Sequence, residues 1–443
     1  MYVLIKCLRG NFMNEHTTGI PISDDNKYSV TNFGAYGWLT IIYCLLMFWF
    51  YVGFVNDGSN ISAPAIAARL GVQPGTVLNM NSIAGIVGVI FFIFIGQLNR
   101  KIGARNTSGI FMIIAGFSYI GIANAPNLAL YTIFMCLVVG SVMSAGYIAG
   151  GTLVAQWFPK KKGIVMGYTT MGHNLASAFY VPIITLLVAK FGIELGVIPL
   201  AIGAIVVGVL GLIFIRNTPA ERNMLPDNVS ESVYKREYFT DTTIKEEWTV
   251  TSLLKTRELW IAAITTGFFQ ICSVGVMSQL VVRNMSLGFS QTTAISIMTV
   301  VALIGVVGSW LIGILDDKLG TKKTMILFGI WYAVALISNV SETKFGIYLS
   351  IFMIGMGIGG SANFTTSLPA SIFGRHEFDM VNSVIFPIQG LITALCFAVN
   401  GIVLNLTNNL RYAYIVFAVV ALIDAILVST IDEHKYNKDW HHK

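Results

Sequence analysis

Twelve long apolar stretches constrain the fold of this chain more than any other feature. A bilayer core of about 30 Å requires about 20 apolar residues in a helix. A helix satisfies its own backbone hydrogen bonds in lipid, whereas a β-barrel would show short alternating segments, which are missing here. The stretches lie approximately at 35–56, 76–96, 107–125, 128–152, 163–188, 193–215, 258–281, 291–315, 324–340, 344–367, 379–403 and 411–431.

Charged residues make up only 11% of the 443 residues, against roughly 25% in a soluble domain. The sequence therefore predicts an all-α, multi-pass integral membrane protein with twelve transmembrane helices. The apolar start MYVLI is too short for a cleavable signal peptide. Met13 is an alternative start of the chain.

The Lys and Arg residues alternate between the two sides of the predicted membrane. With a cytoplasmic N-terminus, 23 of the 28 fall on the cytoplasmic side, which follows the positive-inside rule. Both termini are then cytoplasmic, and we expect the protein in the plasma membrane. The net charge of +6 is explained by these basic loops and requires no nucleic-acid partner.

The chain divides into two similar halves. A polar segment at 216–257, with 14 charged residues, follows the sixth span. GQLNRKIGAR at 96–105 matches GILDDKLGTK at 313–322 with an offset of 217, and Gly140–Phe158 matches Gly355–Phe373 with an offset of 215. Two repeats at nearly one offset indicate duplication of a six-helix unit.

We therefore expect two pseudo-symmetric six-helix bundles joined by a cytoplasmic linker. The predicted divisions are a cytoplasmic N-terminal tail at 1–34, a bundle at 35–215, the linker at 216–257, a second bundle at 258–431 and a cytoplasmic C-terminal tail at 432–443.

With its twelve spans, central loop and repeated glycine-basic motif, the chain resembles the major facilitator superfamily over essentially its whole length. This resemblance implies the major facilitator fold, a monomer, and a cytoplasmic gating role for the two motif copies. Glycines permit tight turns and close helix approach. In the N-terminal copy Arg100 stands where the family has an acid. The motif residues are Gly96, Arg100, Gly103, Arg105, Gly313, Asp317, Lys318 and Gly320.

The segment WFPKKKGIVMG at 157–167 resembles the signature after the fourth span of oxalate/formate antiporter-like and monocarboxylate-transporter-like proteins. The resemblance implies transport of a small organic anion. Oxalate-exchanging members carry cations within spans eight and eleven, and no Lys or Arg lies in the middle of any span here. Two unpartnered negative charges are prohibitive in a membrane, so a monocarboxylate moved with a proton, or a weakly charged or neutral solute, fits better.

Polar residues at mid-span are the candidate solute ligands, since transporters of this architecture bind near the midplane. His173 is the foremost, because imidazole titrates near neutral pH and suits proton coupling. A satisfied hydrogen bond between helices is the alternative for each amide and hydroxyl. The remaining candidates are Tyr147, Asn174, Gln270, Asn363 and Gln389. Tyr43 and Trp49 either wall the cavity or are lipid-facing or packed aromatic residues. Asp57, in GFVNDGSNIS, is either a solvated loop acid or a proton-entry and gating group.

These observations favour a secondary transporter, by proton symport or anion exchange, of a small monocarboxylate-like anion. The alternatives are an exporter of amphipathic or aromatic solutes and a non-transporting membrane sensor. The five scattered cysteines form no metal-ligand spacing, and motifs of nucleotide-binding, serine-hydrolase or zinc enzymes are missing from the sequence. We therefore expect no enzymatic activity, no cofactor and no metal.

Overall fold

The computed structural model describes residues 32–159, 161–237, 248–374 and 378–437. Within them the chain is nearly all helical, and eleven helical stretches are long and apolar enough to cross a membrane. The predicted span that falls short is the helix Ile198–Phe214, with 17 residues, or about 25 Å at about 1.5 Å per residue. Met13, Lys160, Arg375, most of the predicted N-terminal tail and half of the predicted C-terminal tail lie outside the described residues.

The N-terminal half contains nine α-helices and three π-helical segments. In chain order they are α1 Gly34–Tyr51, π1 Val52–Asn56, α2 Ser59–Leu70, α3 Pro74–Ile102, α4 Ala104–Asn124, α5 Leu128–Met143, π2 Ser144–Gly150, α6 Gly151–Trp157, α7 Lys162–Leu175, π3 Ala176–Tyr180, α8 Val181–Gly196 and α9 Ile198–Phe214.

The linker and the C-terminal half continue this order. The described part of the linker holds two 3₁₀ turns, Pro219–Arg222 and Pro226–Asn228, and two short helices, α10 Glu231–Glu237 and α11 Val250–Leu253. The second half comprises α12 Arg257–Met277, α13 Leu280–Ser286, α14 Gln291–Leu319, α15 Thr321–Val340, α16 Lys344–Phe373, α17 Phe378–Thr407 and α18 Arg411–Ser429.

Equivalent helices pack against one another in both halves. The helix α4 packs on α9 as α15 packs on α18, and α3 packs on α5 as α14 packs on α16. Between the halves, α3 lies along α17, and α14 lies along π3. The repeat detected in the sequence is therefore a repeat of helix packing.

The predicted turn glycines behave in two ways. Gly103 ends α3 at φ 83° and Gly320 ends α14 at φ 85°, in the left-handed region that favours glycine. These turns are confirmed. The predicted close helix approach at Gly96 and Gly313 is wrong, because a Cβ at either position would meet no atom within 4 Å.

The charged members of these motifs lie at helix ends. The Arg105 backbone N–H donates to Asn217 Oδ1 at 2.9 Å, which ties the start of α4 to the linker. Arg100 and Lys318 are exposed, and the Asp317 side chain lies outside the described atoms. The gating role of the motifs stays a prediction.

Candidate functional site

A cavity of about 450 Å³ lies between the two halves. Its walls come from α1, π1, α3, α5, π2, α7 and π3 on one side and from α12, α14, α16 and α17 on the other. This volume suits a small organic molecule. Six predicted solute ligands and the predicted proton-entry residue line it: His173, Tyr147, Asn174, Gln270, Asn363, Gln389 and Asp57.

Tyr43 and Trp49 lie elsewhere, which corrects the prediction that they wall the cavity. Tyr43 is 5% exposed and donates its hydroxyl to Ser108 Oγ at 3.0 Å. The Trp49 indole N–H donates to the Leu175 carbonyl at 3.2 Å. Both therefore join helices within the N-terminal half, because α1 presents another face to the cavity.

His173, at the end of α7, is held by aromatic rings. Its ring centroid lies 4.9 Å from that of Phe48, 6.1 Å from that of Tyr51 and 6.5 Å from that of Tyr147. The Nε2 atom is buried and has no hydrogen-bond partner in the structure. A buried polar atom without a partner is costly, so this atom is available to a solute group or a proton.

Asp57 follows π1 and is only 3% exposed. The Ser177 hydroxyl, in π3, donates to Asp57 Oδ2. The structure therefore overturns the alternative of a solvated loop acid. The sequence GFVNDGSN suggested a loop, yet the chain stays helical through π1 and α2 to Leu70.

The three π segments all contribute to the cavity wall. Such segments insert one residue into a helical turn and frequently occur at functional sites. Close packing holds two of them together, since a Cβ at Gly53 in π1 would lie 2.4 Å from the Tyr180 ring in π3. Tyr180 in turn donates to the Tyr119 hydroxyl at 2.7 Å.

The C-terminal wall is built from neutral amides and hydroxyls. Gln270 Nε2 donates to the Ser361 carbonyl and Asn363 Nδ2 to the Ser309 carbonyl, both at 3.1 Å. Gln389 Oε1 is buried without a hydrogen-bond partner. The amide groups of Gln270 and Asn363 thus donate hydrogen bonds to neighbouring helices, whereas the amide oxygen of Gln389 accepts none from the described residues.

No Lys or Arg lines the cavity within the part of the chain that the structure describes. The guanidinium of Arg283 is buried elsewhere, with the side chain 1% exposed. It pairs with Glu342 at 3.1 Å and donates a hydrogen bond from Nε to Asn339 Oδ1 at 2.8 Å. The acid and imidazole of the cavity are Asp57 and His173. The lining residues that the structure describes in spans eight and eleven therefore include no Lys or Arg.

Sequence reasoning missed several polar lining residues. Ser177 lies four residues after His173, one helical turn further along the same wall, and this spacing was the available signal. Tyr51, Asn56 and Ser273 also line the cavity. Their small or amphipathic side chains do not differ in pattern from ordinary helix-packing residues.

The two halves meet at one end of the cavity, here termed the closed end and formed by residues 57–82, 277–299 and 394–405 together with Ala178. Ser82 Oγ donates to the Ala394 carbonyl at 2.9 Å, and Thr299 Oγ1 donates to the Ala178 carbonyl at 3.3 Å. Gly75 and Gly401 pack backbone to backbone, because a Cβ at Gly75 would lie 2.4 Å from the Gly401 carbonyl oxygen. The basic loops predict that this end is extracellular.

Comparison with known proteins identifies a family and relatives with this architecture. The model of the Major Facilitator Superfamily matches residues 41–315 and 259–439. An uncharacterized MFS-type transporter, YhjX of Escherichia coli (strain K12), is 20% identical over 363 residues, covering 80% of this chain and 85% of that protein. The oxalate:formate antiporter of Oxalobacter formigenes is 26% identical over 277 residues, covering 59% of this chain and 60% of the antiporter.

Solved structures share the fold at lower identity. A D-xylose-proton symporter superposes with a TM-score of 0.69 at 13% identity, covering 90% of this chain and 98% of the symporter. A bacterial homolog of the human lysosomal transporter Spinster, in an inward-facing and unoccupied conformation, superposes with a TM-score of 0.67 at 13% identity, covering 89% and 96%. Likeness at this identity shows the fold alone.

Proposed function

Because this chain belongs to the Major Facilitator Superfamily, we propose that it is a secondary transporter that moves a small monocarboxylate together with a proton. The observation that carries this proposal is the ionisable content of the cavity. One carboxyl group and one imidazole, Asp57 and His173, face the cavity, and no Lys or Arg does so among the described lining residues.

Electrostatics then distinguishes symport from anion exchange. A fixed cation would hold an anion in both directions, as exchange requires. Without one, an anion entering this cavity would meet the Asp57 carboxylate and be repelled, since like charges interact strongly away from water. A proton carried with a monocarboxylate brings one positive charge for one negative charge, so the loaded cavity keeps its net charge.

The roles of individual residues follow from their placement. Asp57 holds the proton, and its Ser177 contact keeps the carboxyl at the cavity wall. Among the described lining residues, His173 Nε2 and Gln389 Oε1 are the buried polar atoms without partners. In its N–H form, Nε2 donates to the solute carboxylate, and Oε1 accepts from a hydroxyl or protonated group of the solute. The rings of Tyr51, Tyr147 and Phe386 enclose its apolar part.

Export of an amphipathic or aromatic solute is the second candidate. It is favoured by aromatic rings on both walls, because Tyr147 of the first half lies 6.2 Å from Phe386 of the second between ring centroids. Aromatic pairs of this kind bind flat apolar solutes well.

Uptake into proteoliposomes with an imposed pH gradient tests the proposal. We expect an acidic exterior to accelerate uptake of formate, acetate or lactate, a protonophore to abolish the acceleration, and oxalate to be excluded. Oxalate uptake driven by internal formate and insensitive to the protonophore would overturn symport. Proton-driven movement of a hydrophobic aromatic dye without carboxylate uptake would support the second candidate.

A further inference from the structure

At the closed end, an asparagine of the first half is inserted into a helix of the second half. Asn60 Nδ2 donates to the Met277 carbonyl at 2.8 Å, and Asn60 Oδ1 accepts from the Val281 backbone N–H at 2.9 Å. In a regular α-helix the N–H of residue 281 would bond to the carbonyl of residue 277. The Asn60 amide therefore occupies the place of one helical hydrogen bond.

The helix is interrupted at this point. The seventh span ends as α12 at Met277 and resumes as α13 at Leu280. A side chain inserted into the helical hydrogen-bond ladder is a known cause of such a break. Neighbouring Ser59 Oγ lies 3.0 Å from the Ser278 carbonyl and 2.6 Å from the Asn56 carbonyl, so it also reaches the break.

This contact is buried and contiguous with the transport site. Asn60 is 3% exposed and Ser59 is 1% exposed. Asn60 Nδ2 also donates to the backbone carbonyl of Asp57 at 2.8 Å. One helical turn thus carries a carboxyl group that lines the cavity and an amide that holds the opposite half.

We propose that Asn60 is the switch residue of the closed end, and that this end opens by exchanging the two Asn60 bonds for the Val281-to-Met277 helical bond. In the closed form the Asn60 amide satisfies both backbone groups. When the halves separate, the same two groups satisfy each other and the seventh span becomes continuous. Neither group is left unpaired in either form, as buried backbone groups require.

The exchange makes the closed end bistable. Separation of the halves removes two hydrogen bonds to Asn60 and restores one within the helix, so the Asn60 contact by itself favours the closed form by about one net bond. One net hydrogen bond corresponds to about a threefold to tenfold change in population. The inference depends on neither the solute nor the proton.

A distance measurement across the closed end tests the switch. Spin labels are placed on cysteines at the exposed positions Gln73 and Ser286, with Cys7 and Cys136 replaced by serine; Cys44, Cys272 and Cys396 are buried. We expect Asn60→Ala to raise the long-distance population about threefold to tenfold in full-length protein in nanodiscs.

The matched control is Asn400→Ala. Asn400 Nδ2 donates to the Gly275 carbonyl of the same helix at 2.8 Å, but from within the C-terminal half, so its loss leaves the distance distribution unchanged. Asn60→Asp retains the acceptor for Val281 and removes the donor to Met277, so we expect an intermediate shift. Distributions for both Asn60 variants that equal that of Asn400→Ala would overturn the proposal, whatever the transport assays show.

Discussion

The two halves of this transporter share one architecture but present different chemistry to the cavity between them. Six cavity positions of the first half have counterparts 216 residues later that also line the cavity, and in four of these pairs both residues are polar. In these four pairs the ionisable residues lie in the first half, and the equivalent residue of the second half is neutral and polar. The pairs are Asp57 with Ser273, Tyr147 with Asn363, His173 with Gln389, and Ser177 with Thr393.

The backbone at the cavity also differs between the two halves. The first half carries π1, π2 and π3 at the cavity, whereas α12, α16 and α17 pass the cavity without a π segment in the described residues. A π segment shifts the register of a helix and re-aims its side chains. We infer that duplication produced two equivalent walls, and we propose that the first took on proton handling at Asp57 while both walls position the solute.

The largest expected effect is at Asp57. Asp57→Asn keeps the size of the side chain but cannot release a proton, so we expect proton-driven accumulation of the monocarboxylate to fall at least about tenfold. A charge-assisted hydrogen bond is worth about 1.5–3 kcal/mol, which corresponds to about a tenfold to hundredfold change. The measurement is uptake into proteoliposomes under a pH gradient.

The counterpart Ser273→Ala is the control for Asp57 and should change accumulation at most about threefold, the lower end of the range for one neutral hydrogen bond. An equal loss in both variants would erase the difference between the walls. Thermal stabilisation of Asp57→Asn by the solute would show that the variant still folds and binds.

A charge placed on the neutral wall sharpens the comparison further. Gln389→Arg supplies a fixed cation, and two unit charges about 4 Å apart interact by about 4 kcal/mol near a protein surface, part of which desolvation removes. We expect monocarboxylate binding to become nearly independent of pH and oxalate binding to strengthen about tenfold, as measured by ligand-induced thermal stabilisation at several pH values.

Gln389→Met, similar in size and neutral, controls for volume at this position. If Gln389→Arg binds oxalate no better than Gln389→Met at any pH, the missing cation is not what excludes dianions from this cavity.

His173 should contribute less than Asp57, because a neutral hydrogen bond is worth about 0.5–1.5 kcal/mol. We expect His173→Gln to weaken uptake about twofold to tenfold and to retain the acceleration by an acidic exterior. An acceleration lost in His173→Gln and kept in Asp57→Asn would reverse the roles assigned to the two residues.

The sequence predicted the architecture well because membrane spans are set by simple physics. Apolar length, basic loops and the offset of 215 to 217 gave the helices and the two halves. His173 and Gln389 were found because polar residues at mid-span are few. Asp57 is ambiguous in the sequence, because a polar run next to an apolar span is typical of a loop, whereas its burial and its contact with Ser177 depend on tertiary packing.

Features that depend on three-dimensional register were beyond the sequence. The π segments have no composition of their own, and the packing of π1 on π3 through Gly53 and Tyr180 is a tertiary contact. Tyr43 and Trp49 were misplaced because aromatic residues occur on every face of an apolar helix. The role of Asn60 could not be predicted from the sequence. It depends on contact with Met277 and Val281, which lie four residues apart in a helix far away along the chain.

The smallest expected effect concerns the segments that follow the sixth and twelfth spans, because the two halves have the same kind of contact there. Each is followed by a segment that returns to its own bundle: Lys161 N–H donates to Asp227 Oδ1 at 3.0 Å, and Lys435 Nζ donates to Glu258 Oε1 at 2.7 Å. The hydrogen bond to Glu258 raises the pKa of Lys435, whereas burial lowers the pKa of Lys161, partly offset by Asp227.

Lys435→Met should therefore lower the melting temperature by a few degrees, because Glu258, 2% exposed, keeps only the Tyr436 hydroxyl at 3.2 Å. Lys161→Met should change it less. A raised folded pKa means that the Lys435 contribution is complete below the unfolded value of about 10.4 and is lost as the pH rises through the folded value. Melting curves of wild type and variant should thus differ at about pH 8 and converge as the pH rises through the raised folded pKa of Lys435. A difference that persists at high pH would assign the effect to packing of the Lys435 stem rather than to its charge.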